Sequence, residues 1–344
     1  MKKLTIKEIA ELAGVSRATV SRVMTNHPNV HEKTRAAVLK VIQEHGYRPN
    51  AVAQSLASGR MKTIELILSD IRNPFYSEMA RGVEDVARAF NYRVILANTD
   101  DQTDRIIESL ESSRDYQVAG VILTSAFENP RIRQALRSVS SPVVLMMRFL
   151  KDMNYDAVIF DDELGGYLAT KHLIDLGHRR IGHLAGPAAS SASRGRTVGY
   201  KKAMAENGLS IDESWILAGD LKYEAGVRYA NFLKENGWPV TAVFVGNDMM
   251  AIGLLDALYR EGRRVPEDIS IVGYDDISLA GLRGVGLTTI RVPQYEIGRA
   301  AAEILLNKIT GTSQGYRKVV FQPELVVRQT TQTLAVSTQE NKPA

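Results

Sequence analysis

From Ile64 to Val272 the chain alternates short apolar runs with amphipathic stretches of helical length, in two successive series. The first reads as strand Ile64–Ser69, helix Phe75–Phe90, strand Arg93–Ala97, helix Thr103–Ser113, strand Gly120–Thr124, helix Pro130–Ser138 and strand Val143–Met147. The second reads as strand Tyr155–Asp161, helix Glu163–Leu176, strand Arg180–Ala185, helix Arg196–Asn207, strand Ile216–Ala218, helix Glu224–Glu235, strand Ala242–Val245, helix Met249–Glu261 and strand Ile269–Val272. Such alternation implies parallel sheets, because parallel neighbours need a crossover and the crossover helices cover both faces. Two series predict two lobes. The segment around Thr288–Pro293 then feeds a long helix, Glu296–Thr310, and a closing pair of strands near Lys318–Val327, and the chain is expected to cross back at the end to complete each lobe. From Thr330 the composition turns polar, and a disordered tail is expected.

The first sixty residues are of another kind. They carry 10 Lys/Arg and 4 Asp/Glu against 33 and 35 in the remainder, so +6 stands beside −2. A basic module joined to a near-neutral body points to nucleic acid as the partner of the module. The chain of 344 residues has no cysteine, which removes disulfides, thiolate catalysis and cysteine-ligated metal. With no apolar run long enough for a membrane span and no signal-peptide pattern at the N-terminus, a cytoplasmic location is expected.

Within the basic module, Thr5-Ile-Lys-Glu8 has the spacing of a capping box opening a helix whose apolar face is Ile6, Ile9, Ala10 and Ala13. Gly14 supplies the left-handed residue that ends it, and Ser16 caps the next helix, Arg17 to Met24. At about 100° per residue Arg17, Ala18, Ser21 and Arg22 share one arc, with Val20 and Val23 on the opposite side. That arc is small, cationic and free of carboxylates, the composition needed to approach phosphates and base edges. The competing reading is an ordinary helical hairpin with a solvated basic face. Asn26-His-Pro-Asn29 reads as a turn, and a third helix follows from Glu32 to His45, packed through Val38, Val41 and Ile42 and stopped by Gly46. Ala51–Gly59, capped by Asn50, is long enough for two helical turns, which are marginal alone in water.

Two parallel-sheet lobes leave a cleft at the carboxyl ends of their strands, where small ligands bind. Candidate groups there are Phe160-Asp161-Asp162, Arg196 in or beside the Ser190–Gly195 loop, Asn247-Asp248 and Tyr274-Asp275-Asp276. Such amides, carboxylates and guanidinium groups hold polyhydroxylated or acidic ligands, and Phe75 or Phe160 offers a face for a sugar ring. Asp248 reads better as a helix cap than as a ligand. No glycine-rich phosphate loop or nucleophile elbow occurs. His172, His178 and His183 read as surface or structural, so no enzyme activity, cofactor or metal is expected. A sugar-modifying α/β enzyme and a sugar receptor without regulatory role are the competing readings.

Taken together the motifs resemble those of the LacI/GalR family of bacterial transcription regulators. The likeness spans residues 4–328 and is carried by Ile9–Ser16, Thr19-Val-Ser-Arg22, Gly46-Tyr-Arg-Pro-Asn-Ala-Val-Ala53, Asn73-Pro-Phe75, Leu176-Gly-His-Arg-Arg-Ile-Gly182, Val265–Asp276 and Leu287-Thr-Thr289. The resemblance implies an all-α helix-turn-helix head over 1–48, a hinge helix over 49–60, and a two-lobed, periplasmic-binding-protein-like (type I) α/β effector domain over 61–330. Lobe 1 would comprise 61–160 plus 292–318, lobe 2 161–291 plus 319–330, and the tail 331–344. It implies a homodimer on a pseudo-palindromic operator, repressing a carbohydrate-related operon under a small-molecule effector. Base reading would fall to Arg17, Ala18 and Arg22. DNA contact or its support would fall to Thr5, Ser16, Thr19, Ser21, Asn29, Thr34, Tyr47, Asn50 and Ala53, and a minor-groove wedge to Leu56. The effector positions carried over are Phe75, Arg148, Phe160, Arg196, Asn247 and Asp275. Met147 and Leu221 depart from the pattern, standing where the family often has an aspartate and a stacking aromatic. A sugar, sugar acid, phosphorylated sugar or nucleoside therefore all stay open as effector.

Overall fold

The computed structural model describes residues 4–24, 28–47 and 61–334. The segment 48–60, and with it Asn50, Ala53 and Leu56, lies outside the described residues, as do 25–27 and 335–344. The chain divides after Met61 into two units, each described by itself.

Among its described residues the first unit has three helices: α1 Ile6–Leu12, α2 Arg17–Met24 and α3 Glu32–Glu44. The Glu8 amide donates to Thr5 Oγ1 at 3.3 Å while the Glu8 carboxylate accepts from the Thr5 amide at 2.6 Å, so the capping box is complete. Gly14 sits at φ +66° and Gly46 at +58°, the two points where a helix must stop within a residue. Ile9, Ala10, Val20, Val23 and Val38 form the core, with Val41, Ile42 and Tyr47 against it.

The second unit holds two six-stranded sheets. In chain order its elements are β1 Thr63–Leu68, α4 Pro74–Ala89, β2 Arg93–Asn98, α5 Thr103–Asp115, β3 Gly120–Leu123, α6 Pro130–Ser138, β4 Val143–Met146, β5 Asp156–Phe160, α7 Asp162–Asp175, β6 Ile181–Ala185, α8 Ser191–Glu206, β7 Ile216–Ala218, α9 Tyr223–Glu235, β8 Ala242–Val245, α10 Asp248–Arg260, β9 Ser270–Asp275, β10 Thr288–Arg291, α11 Gln294–Ile309, β11 Lys318–Phe321 and β12 Glu324–Val326. The strand orders are β11-β5-β4-β3-β1-β2 and β12-β10-β9-β8-β6-β7. Every pairing is parallel except β10 with β12. Strands β1, β3, β4, β5, β6, β8 and β9 are buried along their whole length, as apolar runs covered on both faces must be. In both lobes the order reverses beside the first strand, between β1 and β3 and between β6 and β8, which opens a crevice at the carboxyl ends.

The chain passes between lobes three times: from β5 to α7, from β10 to α11, which packs on α4, and from β11 to β12. The Asp161 amide donates to Phe321 O at 2.9 Å and ties two of the crossings together. The third passage differs from expectation. Lys318–Phe321 pairs with β5, Val319 opposite Val158, so lobe 1 keeps the chain through Phe321 instead of releasing it at residue 318.

The polar end of the chain also differs. Thr330–Leu334 straps lobe 2 instead of starting a tail. Thr330 Oγ1 donates to Ile271 O at 2.7 Å, its carbonyl accepts from the Ile271 amide at 2.7 Å, and the Leu334 amide reaches Leu176 O at 2.8 Å. The hydroxyls that read as disorder satisfy buried backbone instead. Helix α8 starts five residues before its expected position, because Ser190 caps it by accepting from the Ser193 amide and the serine run is its first turn. His172, His178 and His183 are each held by hydrogen bonds within lobe 2. His183 is fully buried between Tyr200 and Phe244 and bonds Phe244 O and Thr197 Oγ1, and burial pushes its pKa down to about 4.

Three helix pairs cross through facing glycines: Gly82 with Gly298, Gly166 with Gly199, and Gly226 with Gly253. At each, a Cβ would overlap backbone of the partner helix; on Gly199 it would meet the Glu163 carbonyl and the Tyr167 amide. Gly199→Ala is expected to lower unfolding free energy by about 1–3 kcal/mol, the usual cost of forcing a methyl into packed backbone. Gly284→Ala, with open space around it, should stay within about 0.5 kcal/mol of the parent. Urea unfolding of both variants measures the difference, and equal midpoints would refute the close-crossing account.

Candidate functional site

In the first unit the valines of α2 turn inward, and Arg17, Ala18, Ser21 and Arg22 are all exposed along its outer face. The start of that helix is fixed by Ser16, whose Oγ accepts from the Thr19 amide at 3.1 Å and contacts Thr19 Oγ1 at 2.9 Å. Thr5 and Ser16 therefore hold helix starts in place, and Thr19 sits beside the second of them. Asn29 is exposed, and Thr34 and Tyr47 are half-buried, Tyr47 against the head core.

In the second unit a cleft of about 310 Å³ opens between the lobes. Lobe 1 supplies the ends of β1, β2 and β4 and the start of α4. Lobe 2 supplies the loops after β6, β7 and β8 and the last residue of β9. Five of the expected positions line it: Phe75, Arg148, Arg196, Asn247 and Asp275.

Arg196 is the most constrained of them. Its Nε donates to Asp162 Oδ1 at 2.8 Å, its Nη1 donates to Gly246 O at 2.5 Å, and Nη1 lies 3.9 Å from Asp275 Oδ1. The guanidinium rests 3.8 Å from the centre of the Tyr274 ring, and Tyr274 Oη donates to Asp162 Oδ1 at 3.1 Å. Across the cleft Arg148 forks onto Asp101 at 3.1 and 3.4 Å and stacks 4.2 Å over Phe127. Burial pulls both arginines toward losing their charge, but Asp101 and Asp162 outweigh it and hold them cationic. Asp275 goes the other way. Burial pushes its carboxyl well above the usual range, Arg196 opposes this, and Asp248 and Asp162 add to it.

Two expectations need revision. Phe160 does not line the cleft; as the last residue of β5 it is buried, its ring edge-on to Tyr274 at 6.0 Å between centres. It belongs to the packing behind Arg196. Asp248 is not the cap of α10. Asn247 is, its Oδ1 accepting from the Met250 amide at 3.0 Å, while Asp248 accepts from the Ile277 amide at 3.0 Å and Thr289 Oγ1 at 2.6 Å.

Residues that the sequence left unmarked also line the cleft, among them Ser69, Tyr76, Asp101, Ser190 and Tyr223. Position relative to the strands could have found some of them. Ser69 directly follows β1 and Asp101 lies three residues beyond β2, on the side the strand order opens. Nothing local marks Tyr223. The backbone here is unusual: Asp100, Asp101, Met147, Leu221 and Asp275 all have positive φ, and such strain gathers where function over-determines conformation.

The family model described as bacterial regulatory proteins, lacI family, matches residues 5–50, and that described as periplasmic binding proteins and sugar binding domain of LacI family matches residues 61–329. The chain is 36% identical over 331 residues to the ribose operon repressor of Haemophilus influenzae, covering 96% of this chain and 99% of that one. Its structure is similar to the CelR transcriptional regulator in complex with cellobiose (TM-score 0.74, 32% identity, 95% of this chain and 100% of that chain). It is also similar to the lac repressor dimer bound to operator and the anti-inducer ONPF (TM-score 0.85, 28% identity, 96% and 100%). The exposed face of α2, the two-lobed cleft and these likenesses agree, and the chain belongs to the LacI family: it is a DNA-binding transcriptional regulator with an effector-binding domain, not an enzyme.

Proposed function

We propose that the protein is a homodimeric repressor of a carbohydrate-related operon, gated by a neutral, polyhydroxylated ligand of sugar size bound in the cleft. The observation that carries this reading is that both buried arginines of the cleft already have carboxylate partners, Arg148 on Asp101 and Arg196 on Asp162. A phosphate or sugar acid needs an open guanidinium fork. It would also meet Asp70, Asp100, Asp101, Asp220, Glu224 and Asp275 against only Arg72, Arg148, Arg196 and Lys222. The cleft volume of about 310 Å³ equals the space of about ten waters, which suits one or two sugar rings. The ribose operon repressor and the cellobiose-bound CelR among similar proteins favour the same class.

In this reading Arg17, Ala18 and Arg22 read bases, Ser21, Asn29 and Thr34 contact or flank the phosphates, and Thr5, Ser16, Thr19 and Tyr47 support them. Asn50 and Ala53 contact DNA or support that contact, and Leu56 is the minor-groove wedge; all three lie outside the described residues. Effector binding shifts the lobes about the three crossings, and operator affinity changes by the difference in effector affinity between the two lobe arrangements.

The two halves of the reading are separable. Arg22→Ala is expected to weaken an operator selected from a random pool by about 5- to 150-fold, the discrimination carried by one bidentate base contact, without altering sugar binding. Fluorescence anisotropy at fixed salt measures it, and unchanged affinity would remove Arg22 from the reading face.

Asp275→Asn should cut affinity for a neutral sugar found by thermal-shift screening by at least about tenfold while operator binding persists. Sugar phosphates that outperform neutral sugars in the same screen would overturn the ligand class. Arg196→Ala is a different experiment, because it leaves Asp162 buried without its cation. A loss of about 3–5 kcal/mol in stability is expected, measurable by urea unfolding without any ligand.

A further inference from the structure

Two apolar side chains line the cleft from opposite lobes, both on backbone that such residues rarely adopt. Met147, one residue past β4 in lobe 1, has φ +67°, and Leu221, in the loop after β7 in lobe 2, has φ +64°. A left-handed methionine or leucine persists only where its neighbours hold it, and here they do. The Met147 amide donates to Val158 O at 2.8 Å. Asn247 Nδ2 donates to Leu221 O at 2.9 Å, while the same side chain caps α10 through Oδ1. Asn247 is thus a positioning residue for Leu221.

Phe75, Ala192 and Met249 extend the apolar lining. The strongest polar groups are engaged elsewhere: both Nη atoms of Arg148 on Asp101, and Nε and Nη1 of Arg196 on Asp162 and Gly246 O. Asp275 and the hydroxyls of Ser69, Tyr76 and Ser193, all cleft-lining, are placed to orient a ligand. The cleft combines polar anchors with an apolar wall drawn from both lobes.

We propose that this cleft selects a carbohydrate bearing an apolar substituent, a deoxy carbon with its methyl group or an alkyl or aryl aglycone, over the fully hydroxylated parent sugar, with Met147 and Leu221 as specificity-determining residues. The proposal rests on the neutral-carbohydrate reading and narrows it. A hydroxyl pressed on Met147 or Leu221 gives up water without a partner, whereas a methyl or aryl group there gains buried apolar area.

The test is calorimetry on the full chain with matched probes: L-galactose and L-fucose, L-mannose and L-rhamnose, D-glucose and its methyl and phenyl β-glycosides. In at least one pair the substituted member is expected to bind at least about tenfold tighter. The deoxy and glycoside arms show which substituent the wall accepts. Met147→Asn and Leu221→Asn then probe the wall, since asparagine tolerates the left-handed region and leaves the backbone in place. At least one of them should bring the ratio toward one.

Parent sugars that bind as tightly as, or tighter than, every substituted partner overturn the proposal and leave the carbohydrate reading intact. A preference that survives both asparagine variants overturns the assignment to Met147 and Leu221. Failure of every sugar to bind overturns both the proposal and the reading beneath it.

Discussion

Arg196 holds together four pieces of lobe 2 that are distant in sequence. It projects from α8, donates to Asp162, the first residue of α7, donates to the Gly246 carbonyl beyond β8, and lies on the Tyr274 ring of β9. The contact is possible only because α7 and α8 cross through Gly166 and Gly199, where neither helix has a side chain to keep the backbones apart. Desolvating a guanidinium and a carboxylate costs several kcal/mol per ion. The two hydrogen bonds that Arg196 donates, the Tyr274 hydroxyl on Asp162 and the cation–π contact offset part of that cost. The network also opposes the effect of burial on Asp275, whose carboxyl lies 3.9 Å from the same guanidinium, so the proposed ligand anchor and the lobe architecture share one charge.

Lobe 1 solves the same problem with a smaller unit. Arg148, two residues past β4, forks onto Asp101 and stacks on the Phe127 face, both within lobe 1. Each lobe therefore neutralises its buried cation internally, and neither arginine needs the other lobe to be stable. That independence permits two lobes, joined by three short crossings and by bonds such as Asp161 to Phe321, to change their relation without exposing an unpaired charge.

The period of the apolar runs carried most of the fold. Most of the strand and helix order and the two lobes were legible, because parallel strands buried on both faces have to be continuously apolar; the strand Thr288–Arg291 was not. The misses share a cause. Thr330–Leu334, the Ser190–Ser193 turn and the role of Asn247 all depend on polar side chains satisfying backbone, and a hydroxyl or amide in sequence looks the same whether its partner is water or a buried carbonyl. Phe160 stands at a strand end, as a ligand contact would, but its ring is enclosed with Tyr274. Asp101, Ser69 and Tyr76 were reachable from the strand order. Tyr223 was not, since loop conformation puts it at the cleft.

The scale of the coupling limits where switching can occur. Allosteric coupling in regulators is typically about 1–3 kcal/mol, whereas breaking a buried ion pair such as Arg196 with Asp162 costs about 3–5 kcal/mol. An effector that had to rearrange that pair would spend more than the signal it transmits. The pair must therefore survive unchanged in both arrangements, and the part that moves must be joined by weaker links. Among the described residues the crossings at Asp161, Val292 and Gln322 fit that requirement. They are single covalent passages with a few backbone bonds, and Gln294 Nε2, which donates to Asp275 O at 2.5 Å, connects one of them directly to the cleft floor. In the proposed function a ligand held at Asp275 would act on the start of α11, and through its packing on α4 on lobe 1, without disturbing the core of either lobe.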